Sequence, residues 1–303
     1  MRGLVWGSAG LSRGEEGCPG RGVAKVPGML GFLVELAKAG GAIARAHFAG
    51  VPQRDVARKG ARDYVSHVDR SVEDAIVRRI RARFPDHRIL GEESTRDAAQ
   101  PHETLWIIDP IDGTTNFLHG IPHYAVSIAL RERGVLRFGC VYDPARDECF
   151  TAEAGAGLWL NAERRYGSSR RELDQAVLAT ALPFRYPQAM AETLAVFGAV
   201  QLACDDQRRS GSASLDLAWT AVGRLDGYYE VGIHPWDVAA GEVLVRAGGG
   251  VAGDLRGGDG DILARRGELA AATPELHAAL LRRLAPLAQL TDRIAAADIT
   301  PAP

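Results

Sequence analysis

The run Trp106-Ile107-Ile108-Asp109-Pro110-Ile111-Asp112-Gly113-Thr114-Thr115-Asn116-Phe117 decides both the fold and the chemistry of this chain. Trp106 to Ile108 read as a short buried strand, and two aspartates follow at its end. Pro110 stiffens the link between them, so both carboxylates and the Ile111 carbonyl can face a common pair of cations across a tight turn. Gly113-Thr114-Thr115 then begins a segment whose free backbone N–H groups and positive dipole end suit a phosphate. Metal and phosphate are thereby placed within reach of each other. The Thr114 hydroxyl is positioned to hold the water that hydrolyses a phosphate ester between two metals.

Two further acidic clusters adjoin predicted elements. Gly91-Glu92-Glu93-Ser94 follows a strand ending at Leu90, and Trp236-Asp237, with Glu230 upstream, opens a helix. Carboxylates at strand mouths converge on one crevice and repel one another unless cations neutralise them. Oxygen-only donors without paired His or Cys favour a hard ion such as magnesium. Glu93 reads as structural beside Glu92.

Outward from these clusters the chain divides by periodicity. Residues 1–28 are glycine-rich and aperiodic and are expected to be a flexible extension. From Met29, apolar Leu30, Leu33, Ala37, Ile43, Ala44 and Phe48 make one helical stripe. Val68, Val72, Ile76, Ile80 and Phe84 mark a second helix that Pro85 ends. Strands are predicted at Arg88–Leu90 and Trp106–Ile108. Ala125–Leu130 and Val135–Tyr142 form a hairpin joined by residues 131–134, and further strands follow at Glu148–Ala152 and Leu158–Leu160. The second half alternates: strand Val177–Thr180, helices Glu192–Leu202 and Ser214–Val222, strand Asp226–Glu230, helix Asp237–Ala247, a short strand near Ile262, and a helix from Pro274 to about Leu290. The expected organisation is an extension (1–28), an N-terminal α+β half (29–180) carrying most metal ligands, a C-terminal α/β half (181–290) completing the substrate site, and a tail (291–303).

Composition narrows the function classes. Lys plus Arg number 36 against 38 Asp plus Glu, a net charge of −2, which excludes a strongly basic nucleic-acid binder. No apolar run reaches the ~18 residues of a membrane span. Cys18, Cys140, Cys149 and Cys204 form no CxxC pair and are expected to be free thiols of a cytoplasmic protein.

The Asp109-to-Phe117 core resembles the signature of the inositol monophosphatase family. Gly91-Glu92-Glu93-Ser94 and Pro235-Trp236-Asp237-Val238-Ala239-Ala240-Gly241 look like the family's other two motifs, in order, and Lys59-Gly60-Ala61-Arg62-Asp63-Tyr64-Val65-Ser66-His67-Val68-Asp69 is similar to the loop before its second helix. The resemblance implies an alternating α/β/α/β/α layered fold, usually a homodimer. It also implies magnesium-dependent, often lithium-sensitive, phosphate monoester hydrolysis, with two or three ions per site. Carried over by position, Glu92, Asp109 and the Ile111 carbonyl would hold the first metal and Asp109, Asp112 and Asp237 the second. Asp63, Ser66 and Glu92 would surround the attacking water or a weaker third ion, and Thr114 would orient that water. Gly113 and Thr114 N–H groups would bind phosphate. Asp112, Glu230, Asp237 and the Gly211-Ser212-Ala213 turn match positions that hydrogen-bond inositol hydroxyls.

Other patterns carry less. Gly10-Leu11-Ser12-Arg13-Gly14 matches a nucleophile elbow without a preceding strand, and Gly248, Gly250 and Gly253 follow a helix where a dinucleotide turn needs a strand. Asp259-Gly260-Asp261 reads as a hairpin turn. His119, His123 and His234 read as packing or hydrogen-bonding residues, and the Arg pairs at 164–165, 208–209, 265–266 and 282–283 as solvated surface. The substrate implied is a small phosphorylated polyol or sugar, myo-inositol 1-phosphate first. Fructose 1,6-bisphosphate, histidinol phosphate and NADP are the alternatives. A rival of another class is a binding partner of RNA or transcription machinery, against which the neutral charge argues.

Overall fold

The computed structural model describes residues 28–48, 50, 56–60, 63–93, 96–97 and 103–299, with the backbone alone for 56–60, 63–66 and 297–299. The expected extension, Cys18 and the Gly10–Gly14 motif lie outside the described residues. Helices α1 (Met29–His47) and α2 (His67–Arg83) follow the two predicted stripes, joined through the antiparallel pair β1 (Val56–Gly60) and β2 (Asp63–Ser66). Gly40 lets them cross closely, since a Cβ there would stand 2.9 Å from the Val72 side chain.

A seven-stranded sheet follows, in spatial order β3 (Arg88–Gly91), β4 (Leu105–Asp112), β5 (Ala125–Glu132), β6 (Val135–Asp143), β7 (Glu148–Glu153), β8 (Gly157–Leu160) and β9 (Glu163–Arg165). Only β3 and β4 pair in parallel; the rest are neighbours in sequence paired antiparallel. The short helix α3 (Thr114–Leu118) caps β4. The second half contributes β10 (Val177–Thr180), α4 (Met190–Gln201), β11 (Asp206–Arg208), α5 (Ala213–Ala221), β12 (Gly227–Val231), α6 (Pro235–Ala247), β13 (Val251–Gly253), β14 (Gly267–Ala271) and α7 (Pro274–Ile299). Its five strands are ordered β11-β10-β12-β14-β13.

These elements stack as the expected α/β/α/β/α sandwich. α1 and α2 cover the outer face of the first sheet, α5 and α6 fill the space between the sheets, and α4 and α7 cover the second sheet. The middle layer explains why α6 is apolar nearly all round: every residue from Pro235 to Val245 is buried. Gly241 of α6 is the tightest point, because a Cβ there would lie 2.4 Å from Leu217 Cβ of α5.

The structure departs from the sequence expectation in several places. β4 does not stop at Ile108 but runs to Asp112, so the acidic stretch lies in the strand rather than in a turn. It pairs with β5 at Asp109↔Ser127 and Asp112↔Ala125, with a register shift between, where Pro110 has no N–H to give the ladder. The β5–β6 joint is two residues rather than four: Arg133 (φ 50°) and Gly134 (φ 83°) both take the left-handed conformation of a type I′ hairpin. Ile262 sits in a turn, and the strand is β14, whose Glu268 interrupts the apolar pattern that would have announced it. α7 continues to Ile299 because Leu290 and Ile294 are buried and extend its stripe. Arg265 is not solvated: its side chain, 7% exposed, is enclosed with Glu242 and Glu268. Cys140, Cys149 and Cys204 are free thiols.

Replacing Gly241 with Ala forces a methyl against the anchored root of Leu217. It is expected to destabilise the fold by roughly 1–3 kcal/mol, read as a lowered urea midpoint at unchanged slope. An unchanged midpoint would show that the α5–α6 contact is not a constraint.

Candidate active site

A cavity of about 400 Å³ opens where the C-terminal ends of β3 and β4 meet the N-termini of α3, α5 and α6. Its wall includes Glu92, Asp109, Ile111, Asp112, Gly113 and Thr114 from the first half and Gly211, Ser212, Ala213, Glu230 and Asp237 from the second. All the sequence-predicted site residues apart from Asp63 and Ser66 line this wall. The side chains of Asp63 and Ser66 lie outside the described set, and their strand β2 runs beside α3.

Each carboxylate is held by local geometry. Glu92 follows β3, with its N–H bonded to the Ile108 carbonyl at 3.1 Å. Gly91 before it packs against the buried Glu73 carboxylate, 2.5 Å from where a Cβ would stand, and that carboxylate accepts the Glu93 N–H at 2.8 Å. Asp109 Oδ1 accepts the Ile111 N–H at 3.0 Å. Asp112 Oδ2 accepts three donors: Ser212 Oγ at 2.6 Å, Ser214 N–H at 2.7 Å and Ser214 Oγ at 2.6 Å. Asp237, in the first turn of α6, accepts the His234 N–H at 2.7 Å. The Thr114 hydroxyl donates to the Ile111 carbonyl at 2.9 Å and approaches Asp69 at 3.4 Å.

Burial and mutual repulsion strain this group electrostatically. Burial, followed by the charges of Glu92, Asp112 and Asp237, pushes the Asp109 carboxyl well above the usual range. Burial likewise raises Asp237, against the opposing charge of Arg185. Asp112 is raised by burial too, less the contribution of its serine donors. Glu230, bonded by the Tyr228 hydroxyl at 2.6 Å, is pushed up to about 7, chiefly by burial. A set of buried oxygen donors that raise one another's proton affinity has the chemistry of a hard divalent-cation site. Among the described residues no three of these groups form a ready-made metal cage.

Gly113 stands at φ 88° as the N-cap of α3, and Gly113, Thr114 and Thr115 line the cavity. The two halves are joined here by a residue with no predicted role. Asn116 Nδ2 donates to the His123 carbonyl at 2.8 Å and to the Ser210 carbonyl at 2.9 Å, across 94 residues of sequence. Gly211 (φ 89°) packs on that amide, with room for a Cβ only 3.1 Å from Nδ2. Ser212, expected to face substrate hydroxyls, turns its own hydroxyl to Asp112.

Sequence reasoning also missed Ser214, Asp216, Arg185 and Arg209. Ser214 was legible in principle, two residues after Ser212 at the start of α5. Asp216, buried and bonded by the Ser210 hydroxyl, has a carboxyl pushed well above its usual range by burial. The paired arginines 208 and 209 separate: Arg208 pairs with Asp206, whereas Arg209 lines the cavity. His123 is a packing residue, edge-on to Trp219 with its imidazole pushed down to about 4 by burial.

The sequence model of the inositol monophosphatase family matches residues 28–289. A protein named Nus factor SuhB from Escherichia coli K12 is 41% identical over 256 residues, 84% of this chain and 95% of that protein. Among solved structures, an extragenic suppressor protein suhB from Bartonella henselae superposes with a TM-score of 0.79 at 38% identity, covering 84% of this chain and 96% of that one. An inositol monophosphatase from Anabaena (Nostoc) sp. PCC 7120 does so with a TM-score of 0.74 at 36% identity, covering 84% of this chain and 94% of that one.

Asn116→Ala removes a side-chain donor that spans the two halves and leaves the His123 and Ser210 carbonyls without that donor. A stability loss of roughly 1–3 kcal/mol is expected, measured by urea unfolding. A loss near zero would mean that the bridge is dispensable.

Proposed function

Because the chain belongs to the inositol monophosphatase family, we propose that it hydrolyses a phosphate monoester with magnesium, its principal substrate being myo-inositol 1-phosphate. The observation that carries this reading is the gathering into one cavity of residues from three motifs, the last more than a hundred residues from the first two: Glu92, the Asp109–Thr114 stretch, and Glu230 with Asp237. Magnesium held by Glu92, Asp109, the Ile111 carbonyl, Asp112 and Asp237 would neutralise the clustered carboxylates and supply Lewis acidity toward water and the ester. The N–H groups of Gly113 and Thr114 bind the phosphate, and the Thr114 hydroxyl, with Asp63, Ser66 and Glu92, orients the attacking water. Ser212 and Ser214 hold Asp112 in place through one oxygen and leave the other for the metal. Glu230, Asp237 and the Gly211–Ala213 turn receive hydroxyls of the alcohol. A homodimer in the cytoplasm belongs to the same reading.

A second role has one observation in its favour: the 41% identical E. coli protein is named a Nus factor. That name supports association with transcription machinery in addition to hydrolysis. Co-purification with RNA polymerase or RNA at ~200 mM salt tests it, and a chain that elutes alone speaks against it.

A side-by-side screen of inositol 1-phosphate, fructose 1,6-bisphosphate, histidinol phosphate and NADP is expected to show magnesium-dependent release of phosphate, with inositol 1-phosphate turned over. Asp112→Asn is expected to lower kcat at least ~100-fold, as for loss of a group that stabilises developing charge. Wild-type turnover by this variant would overturn the metal assignment.

The carboxylate cluster also predicts a pH dependence. Folded-state pKa values raised above the ordinary ~4 mean that the metal-free native state binds more protons than the unfolded chain. Its stability therefore falls as pH rises from about 4 through the raised values. Magnesium replaces those protons, so its addition is expected to raise Tm more at pH 8 than at pH 5. A shift independent of pH, or larger at pH 5, would contradict this.

A further inference from the structure

One carboxylate in the cavity wall has no part in the proposed reaction. Asp216 stands in the first turn of α5, only 2% exposed, and lines the cavity. Hydrogen bonds fix its place. Its Oδ1 accepts the Ser210 hydroxyl, and its backbone N–H donates to the Ser212 carbonyl at 3.1 Å, so both ends of the Ser210–Gly211–Ser212 turn are tied to this one residue. That turn abuts Gly113: a Cβ on Gly113 would stand 3.2 Å from the Gly211 carbonyl oxygen and 3.3 Å from Ser212 Cβ. An ester whose phosphate lies on the Gly113 and Thr114 N–H groups therefore has the turn held by Asp216 as its neighbour.

Oδ1 is occupied, but Oδ2 meets no hydrogen-bond donor among the described residues. Leaving a buried carboxylate oxygen without a donor is costly, and bracing the Ser210 hydroxyl asks only for a neutral acceptor such as an amide oxygen. The second oxygen is thus unexplained by the packing. It is a single open acceptor, carried on a helix and oriented by the bond to its partner oxygen. A hard cation asks for about six oxygens at once, whereas one acceptor matches one O–H donor of a ligand.

We infer that Asp216 is a specificity-determining residue for the alcohol: its Oδ2 accepts a hydroxyl of a polyol phosphate, so the site favours esters of hydroxylated alcohols over esters whose alcohol carries no hydroxyl. This rests on the hydrolytic reading of the site and adds a contact to it.

The test takes the ratio of kcat/KM for inositol 1-phosphate to that for phenyl phosphate, whose ring has no hydroxyl, in the wild type, Asp216→Ala, Asp216→Asn and Ser210→Ala, with circular dichroism to show that each is folded. Asp216→Ala is expected to lower the ratio about tenfold, the scale of a lost hydrogen bond to a charged acceptor. Ser210→Ala, which removes the brace and leaves the open oxygen, is expected to keep the ratio. Equal losses in these two variants would make Asp216 a brace for the turn and overturn the contact. So would an unchanged ratio, including one accompanied by a higher magnesium requirement, the mark of a metal ligand. Should Asp216→Ala not fold, Asp216→Asn decides: a lowered ratio supports the contact and a wild-type ratio refutes it. If the wild type hydrolyses neither ester, the hydrolytic reading falls instead. Titration calorimetry of inositol 1-phosphate in magnesium then decides the contact: binding weakened in Asp216→Ala but not in Ser210→Ala supports it, and binding insensitive to Asp216, or none, refutes it.

Discussion

One carboxylate oxygen, Asp112 Oδ2, accepts three hydrogen bonds from the start of α5, and the rest of the site is arranged about that clamp. Asp112 ends β4 in the first half of the chain, while its donors, Ser212 and Ser214, lie about a hundred residues on. Burying a carboxylate is costly unless its oxygens are satisfied. The clamp satisfies one oxygen, and with Asn116 beside it ties the two halves together at the cavity floor. Ser212 caps α5 in position but gives its hydroxyl to Asp112 rather than to its own helix.

The layering supplies the scaffold for that arrangement. α5 and α6 are sandwiched between two sheets, and both start at the cavity, so their starts deliver Ser212, Ala213 and Asp237 to it. Close packing between these helices depends on Gly241, just as the α1–α2 crossing depends on Gly40. A rigid middle layer matters because the carboxylates it presents repel their neighbours. Only a packed frame holds like charges side by side in the absence of a counter-ion. A second cluster, Arg265 between Glu242 and Glu268, shows the other solution within the same fold: buried acids neutralised by an enclosed arginine.

Much of this was legible in the sequence, for reasons particular to each element. The stripes of α1 and α2 follow a 3.6-residue period, and the strands around Trp106, Ala125 and Val135 are dense in β-branched and aromatic residues. The acidic residues of the site were readable because they sit in compact motifs beside predicted strand ends. Where the pattern was broken, the reading failed. β14 carries a charged Glu268 that is fully buried, and a charge inside a strand argues against a core position until its partner is known. Asn116 and Ser214 are small polar residues whose partners are set by neighbours distant in sequence.

By itself the sequence determined the two N-terminal helices, most strands of the first sheet, the layered class and the acidic residues that line the cavity, since each depends on local periodicity or on residues adjacent in the chain. Tertiary structure alone decided that Arg265 is enclosed while Arg208 stays outside, that Arg209 turns into the cavity one residue later, and that β4 carries its aspartates within the strand. Burial and pairing are relations between segments far apart in the chain. A side chain's charge is written in its identity, but whether that charge meets water, a carboxylate or a substrate depends on what folds against it.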